Sequence, residues 1–511
     1  MVIPILEWPL VSLLVFFPLV GAFLCLTPLF SAKYDSSGRI VRAWAICTSA
    51  LTLGFLVKLS NFIGGGEPVN AASVLGVHEV HPWMPSFGVS FSFLLDGLSY
   101  VFCLLTAIVS LVVILWSSRS SAATGRAWYS VILAAEGGVM GAFLATDLLL
   151  FYVFYELMLL PVLIGIGLWG GIGRIQAVFK FAIYTLAGSV LMFLAILYCG
   201  WKARVAGVVS FDVFELVKHD LFSPQEQIFL GAAFVLAFAV KIPMVPFHSW
   251  LPDAYREAPH GIAAFVAALL GKVGIYGILR FAWPLFPLFI AEYGHILAAC
   301  GAIGVAYGAL IALQQKDLRL LLAYSSISHL GFCVLGLATN TPTAVAGAVF
   351  QSFSHGIVTA ALFLLFGVLI DARKSANFFN FGGLAARLPR NAFFLMVFSL
   401  AAVALPLTSS FVGEFMILLG SYSKYPLWTL LATSGVVLGA VYTLTAYLRL
   451  MFGADRCTDV TSKSDVSSFD TAILAALAAI VVVLGVYPRP VLALLEPAVM
   501  NASQSDTERQ K

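Results

Sequence analysis

The chain has 511 residues, of which 61% are hydrophobic and 10% charged, with a net charge of +3. Ordinary soluble proteins carry about 25% charged residues, so the sequence reads as an all-α polytopic membrane protein, a single transmembrane domain over residues 1–511. No basic cluster of the kind that grips phosphates is present, which excludes nucleic acid as a partner.

A transmembrane helix needs about 20 apolar residues. About fourteen such segments follow one another, centred near Leu19, Thr52, Val109, Met140, Met158, Ser189, Leu236, Ile275, Ala302, Val334, Leu362, Met396, Val437 and Ala479. The opening run Met1-Val2-Ile3-Pro4-Ile5-Leu6-Glu7-Trp8 lacks a basic region and leads into a retained first span. Residues 61–90 and 455–470 form two polar inserts. Asn501-Ala502-Ser503 fits the glycosylation pattern, a three-residue match that chance readily supplies.

Basic residues favour alternate loops. Lys33, Arg39, Arg42, Arg119, Arg126, Arg174, Arg256, Lys316, Arg319, Arg373, Lys374, Arg387, Arg390, Arg449, Arg456 and Lys463 fall on one side. The other side holds mainly Lys58, Lys202, Arg204, Lys218 and Lys424, with Arg489, Arg509 and Lys511 at the C-terminal end. The positive-inside rule then predicts both termini outside.

Two spans look broken. Lys241 is followed by Pro243 and Pro246, which remove backbone donors and clash with the preceding turn. In Ala402-Val403-Ala404-Leu405-Pro406-Leu407-Thr408-Ser409-Ser410-Phe411-Val412-Gly413-Glu414 a proline and a hydroxyl run precede a carboxylate. Paired broken helices at matching places in two halves point to an inverted-repeat transporter. The repeats are expected over residues 128–286 (spans 4–8) and 289–452 (spans 9–13), about five helices each.

Charges inside apolar helices cost roughly 3 kcal/mol at mid-bilayer and usually mark an ion pathway. Glu156 has no partner within a helical turn of it in sequence, so it is either protonated or paired with a cation from another helix. Lys241 and Lys272 are the natural candidates. A lysine beside a movable carboxylate can be switched between loaded and empty, which is what a proton pump requires; the bland reading is a static ion pair that fixes packing. His329 and His355 lie in serine-lined segments of neighbouring spans, where imidazole can pass protons along hydroxyls and water. A metal site is disfavoured there, since no further ligand is close in sequence.

Glu414 reads both as a carboxylate at a helix N-terminus and as a terminal proton acceptor. Glu136 either partners Lys241 or faces a neighbouring subunit. Asp96 and Asp147 read as helix caps, and Lys180 as a lysine that reaches for the interface. His248, Asp253, Arg256 and His260 follow the first break and mark either a proton inlet or a wet turn. The seven cysteines are scattered without a CxxC pair, which argues against iron–sulfur and zinc sites. No GxGxxG or P-loop follows a strand, so any redox chemistry belongs to another chain.

The runs Lys241-Ile242-Pro243-Met244-Val245-Pro246-Phe247-His248-Ser249-Trp250-Leu251-Pro252-Asp253-Ala254 and Phe411-Val412-Gly413-Glu414-Phe415 closely resemble the antiporter-like membrane subunits of respiratory complex I. So do Lys272-Val273-Gly274-Ile275-Tyr276-Gly277 and Ala323-Tyr324-Ser325-Ser326-Ile327-Ser328-His329-Leu330-Gly331-Phe332. Related members typically carry lysine where this chain has Glu414. The resemblance implies fourteen spans, two inverted five-helix repeats and a proton-translocating subunit of a NADH–quinone oxidoreductase in a bacterial-type inner membrane. It implies proton-handling roles for Glu156, Lys241, Lys272 and Glu414, with His329 and His355 between them. It also implies no cofactor on this chain; NADH, FMN, iron–sulfur clusters and quinone belong to partner subunits, among which two related antiporter-like chains are expected. The sequence departs from the family in one place. The stretch before Phe411 usually carries glycines, and here reads Ala404-Leu405-Pro406-Leu407-Thr408-Ser409-Ser410, which predicts a stiffer break. A sodium/proton antiporter subunit, the corresponding subunit of a membrane-bound hydrogenase or formate-oxidising complex, and a non-pumping scaffold stand as rival readings.

Overall fold

The computed structural model describes residues 10–27, 38–63, 76–117, 125–454, 456 and 465–496. Met1 to Trp8, Lys33, Arg119, Cys457, Lys463, Arg509, Lys511 and the Asn501-Ala502-Ser503 tripeptide lie outside them. The chain opens with α1 (Leu10–Leu26) and α2 (Arg39–Leu59), followed by a hairpin of β1 (Gly76–Met84) and β2 (Val89–Asp96). Helices α3 (Gly97–Trp116), α4 (Arg126–Leu144), α5 (Leu148–Leu157), α6 (Leu159–Trp169) and α7 (Arg174–Val205) come next. A short α8 (Val213–Lys218) precedes α9 (Pro224–Lys241), which stops at the first predicted break and resumes as α10 (Trp250–Glu257). Then α11 (His260–Gly277) passes through a π-helical turn, Ile278–Ala282, into α12 (Trp283–Leu285). The rest comprises α13 (Pro287–Leu313), α14 (Leu318–Thr339), α15 (Pro342–Arg373), α16 (Pro389–Ala402), α17 (Ser409–Tyr422), α18 (Pro426–Met451) and α19 (Ser468–Val486).

Each predicted span centre falls inside a helix except Met158, which is the junction residue between α5 and α6. Among the described residues eleven helices are long and apolar enough to cross a membrane. The centres Leu19, Leu236 and Met396 fall in helices of 17, 18 and 14 residues; the last two are short because each ends at a break. Helix α7 leaves Ile175, Phe179, Ile183, Leu186, Val190 and Leu194 exposed along one stripe, a surface that only lipid or another apolar partner covers at low cost.

Helix starts follow side-chain chemistry. Asp96 and Ser99 form a capping box for α3, Asp147 accepts from the Leu149 and Leu150 amides of α5, and Ser223 with Glu226 boxes α9 behind Pro224. Each occupies amides that helix geometry leaves without partners. Both carboxylates expected to cap helices do so.

The hairpin lies partly within what the sequence suggests is a polar insert. Its antiparallel register runs from Gly76↔Asp96 to Met84↔Val89. It is stitched to the helix ends around it. Phe93 pairs with Ala145 and Asp147 with Asp212, while the Ser90 amide donates to Asp147 Oδ2 at 3.1 Å. The Glu79 carboxylate accepts from the Val11 and Ser12 amides at 2.7 and 2.8 Å, closing the N-terminus of α1. The hairpin therefore marks one face of the molecule. The starts of α1, α3 and α5 lie on it, as does the end of α4.

Burial holds His78 of β1 below the ordinary imidazole range, against the opposing pull of Asp212 and Glu79. A group neutral when folded and basic when unfolded loses stability as pH falls below its unfolded value, about 6.5 for histidine. Protection of the hairpin amides against hydrogen exchange, taken relative to the intrinsic rate at each pH, should therefore fall between pH 7.5 and pH 5.5 in the native chain. The fall should shrink in His78→Asn.

The two breaks close their backbone with the same pair of hydrogen bonds, one reaching four residues back and one reaching five. At the first, the Ile242 and Met244 amides donate to Phe238 and Ala239 carbonyls at 2.8 and 2.9 Å, and the Trp250 indole donates to the Val240 carbonyl at 2.9 Å. At the second, the Val403 and Leu405 amides donate back to Ser399 and Leu400 at 3.1 Å. Ala404 (φ 54°) and Leu407 (φ 78°) sit in the left-handed region that favours glycine, in the stretch where the family usually carries glycines. The Leu407 carbonyl presses on Gly485 of α19, where an added methyl would collide with it.

Candidate functional site

Lys272, in the middle of α11, is fully buried between α3 and α15. Its Nζ donates to the Ala267 carbonyl at 2.7 Å and lies 2.8 Å from His355 Nδ1 of α15. The His355 and His329 rings are 5.4 Å apart between centroids. His329 Nδ1 of α14 lies 2.8 Å from Glu414 Oε1 of α17, and the Gln351 amide donates to the same oxygen at 2.8 Å. Four of the residues singled out in the sequence thus form one ladder across four helices, Lys272, His355, His329 and Glu414, with His355 and not His329 next to the lysine, the reverse of the order expected for the two histidines.

Between the two histidines is a void of about 10 Å³, lined by Ser325, Ser326, Gln351, Thr359 and Ser410 as well as both rings. That is about the space one water molecule needs. Three of its lining atoms, His329 Nε2, Ser326 Oγ and Gln351 Oε1, are buried without a hydrogen-bond partner. Buried polar atoms are rarely left so, and a water that joins them meets the usual two to four partners. Hydroxyls surround the ladder. Ser354 Oγ lies 2.6 and 2.9 Å from Ser409 and Ser410 Oγ, and Ser325 Oγ lies 2.8 Å from the Tyr442 hydroxyl.

The first-half pair is looser. Lys241 is fully buried at the end of α9, and its Nζ has no hydrogen-bond partner. It stands 4.1 Å over the Tyr155 ring, one residue from Glu156. Glu156 is close enough to act on it electrostatically, yet no ion pair within 4.0 Å joins them among the described residues. Glu156 Oε1 is itself buried and unpartnered. Both residues are thus left with a buried polar atom that has no hydrogen-bond partner.

Glu136, buried in α4, accepts from Ser49 Oγ of α2 at 3.1 Å, and its other oxygen is unpartnered. Its hydrogen bond goes to α2, not to Lys241. His248 Nε2 lies 3.2 Å from the Tyr307 hydroxyl of α13, apart from the ladder. Lys180 meets Asp253 at 2.7 Å instead of lying free at the interface. His260 opens α11 and lies 3.6 Å from Asp371. Together with Glu257 and Arg319 they line a cleft of about 270 Å³ on the side opposite the hairpin.

Three participants were not singled out in the sequence. Gln351 is neutral, and Tyr155 is aromatic. Arg280 hides in Ile278-Leu279-Arg280-Phe281-Ala282, where its Nη2 binds both Asp96 oxygens at 2.6 Å and its Nε donates to the Tyr276 hydroxyl at 3.0 Å.

Residues 145–439 match the NADH:quinone oxidoreductase/Mrp antiporter transmembrane family. The NADH-quinone oxidoreductase subunit M of Rickettsia typhi is 34% identical over 97% of this chain and 99% of its own length. That of Rhodobacter capsulatus is 36% identical over 97% and 96%. A chain in the structure of respiratory complex I from Thermus thermophilus with bound NADH is 32% identical, with a TM-score of 0.84, over 96% of this chain and 99% of that one.

Proposed function

Since this chain belongs to the NADH:quinone oxidoreductase/Mrp antiporter transmembrane family, we propose that it is the proton-translocating membrane subunit of a bacterial-type NADH–quinone oxidoreductase. The chain sits in the inner membrane with both termini outside. Electron transfer takes place on partner subunits that hold NADH, FMN, iron–sulfur clusters and quinone. Other membrane subunits, two of them related antiporter-like chains, flank it in the bilayer. The matched breaks after Lys241 and Ala402 support two inverted repeats over residues 128–286 and 289–452.

The reading rests on the Lys272–His355–His329–Glu414 ladder with its unpartnered polar atoms at a water-sized void. A charge shift driven by redox chemistry elsewhere brings Glu156 toward or away from Lys241. Burial favours the neutral amine and a near carboxylate favours the ammonium, so the movement loads and unloads the lysine. Lys272 receives the proton and gives it to His355 Nδ1, and the ring releases its Nε2 proton toward the void. His329, whose Nδ1–H points at Glu414, accepts at Nε2 from the bridging water and passes its Nδ1 proton to the carboxylate. The cleft at Glu257, His260 and Asp371 is the uptake side. The hydroxyls of Thr339 and Ser421, 2.9 Å apart beyond Glu414, lead toward the hairpin face. Moving one charge against 100 mV takes about 2.3 kcal/mol.

His329→Gln tests this. The amide keeps a hydrogen bond to Glu414 but cannot take up and release a proton. Positioned proton-transfer groups contribute typically 10²–10⁴-fold, so proton uptake by the assembled complex in proteoliposomes should fall about a hundredfold. Wild-type pumping in a fully assembled variant would refute the relay.

A further inference from the structure

A proton held on Lys241 or Lys272 has two ways to leave. One is sideways to His355, and the other runs along the lysines' own helices to the hairpin face. Across the second way stands an unbroken layer of rings. Phe102 and Phe143 lie 5.0 Å apart between centroids, Phe143 and Tyr276 5.3 Å, Tyr276 and Phe281 6.3 Å, Phe281 and Phe151 4.3 Å, and Phe151 and Phe238 6.1 Å. All six are at most 1% exposed. They come from α3, α4, α5, α9, α11 and the π-helical turn after α11.

Three of the six stand at a similar height above the buried charges. Tyr276 lies about one turn beyond Lys272 toward the hairpin face, Phe238 about one turn from Lys241 on that side, and Phe151 about a turn and a half from Glu156. The layer closes against backbone as well, since a methyl at Gly277 would collide with the Phe238 ring. Tyr276 carries the layer's one hydroxyl. It accepts from Arg280 Nε at 3.0 Å, and Arg280 is held by both Asp96 oxygens. A guanidinium has donors only and keeps its proton in proteins, so it cannot pass a proton on. The second half differs. Beyond Glu414 the hydroxyls of Thr339, Thr341 and Ser421 lie toward the same face.

We propose that this aromatic layer, closed by the Asp96–Arg280 pair, is a proton barrier that shuts Lys241 and Lys272 off from the hairpin face and confines outward transfer to the Glu414 side. The proposal rests on the relay reading, but its test does not need turnover. The assembled complex is reconstituted in liposomes without NADH, a potassium–valinomycin potential is imposed, and proton flux is followed with an entrapped pH dye. Phe281→Ala should raise passive flux at least fivefold. Phe281→Leu, which refills the space with an apolar side chain, should restore tightness. Phe281→Tyr keeps the volume and adds a hydroxyl, so it should leak at least twofold above the native complex even if the alanine variant does not assemble. Adding Lys272→Ala to either leaky variant should return flux to the native level. Native flux in an assembled Phe281→Ala or Phe281→Tyr variant would overturn the barrier, as would a leak indifferent to Lys272→Ala. Failure of the relay reading itself would instead show as undiminished NADH-driven pumping in Lys272→Ala.

Discussion

Lys272→Arg is expected to stop proton translocation through this chain although the positive charge is kept. In the proposed relay Lys272 gives its proton to His355 Nδ1, 2.8 Å away. Arginine presents donors in the same place but keeps its proton, and its planar fork does not substitute for a compact ammonium. Transfer across the ladder should fall about a hundredfold, the usual worth of a positioned proton donor. Lys272→Ala should fall as far. The measurement is NADH-driven acidification of proteoliposomes, normalised to assembled complex. If the charge served only to hold α11 against α15, arginine would support pumping and alanine would not. Equal loss in both separates a proton carrier from a strut.

Asp96→Ala is expected to have the largest effect on stability. Arg280 is 7% exposed and places Nη2 against both Asp96 oxygens. Removing one partner of a buried pair leaves an uncompensated charge and costs about 3–5 kcal/mol, to which loss of the α3 cap adds roughly 1 kcal/mol. Thermal unfolding of the assembled complex should start at a lower temperature and the yield of intact complex should drop. Asp96→Ala combined with Arg280→Met should recover most of the pair's share, since replacing both charges with apolar groups is often neutral. A double variant as unstable as the single one would place the defect in the cap instead.

The helices were legible because twenty apolar residues in a row have few other fates, and the ladder residues because a charge in such a run is conspicuous. Glu156, Lys241, Lys272, His329, His355 and Glu414 could all be named on that ground, and the structure sets the last four side by side. Partnership was less legible. Nothing in the sequence says that Lys272 turns to His355 and away from Glu156, or that Glu136 turns to Ser49, since those choices depend on which helix faces which. Asp96 reads as a cap and is one, but one carboxylate can also serve an arginine 184 positions away. The hairpin carries a period-two signal in Val89-Ser90-Phe91-Ser92-Phe93. It is short and runs straight into the next apolar span, so the helical pattern masks it.

The contact between Leu407 and Gly485 reaches further than its size suggests. The left-handed leucine just before the Glu414 helix packs on the last long helix of the described chain, so the second break and that helix share one close contact. A fusion partner, an affinity handle or a cross-link placed beyond residue 486 loads the helix that packs on this break, and an attachment point clear of that contact is the better choice.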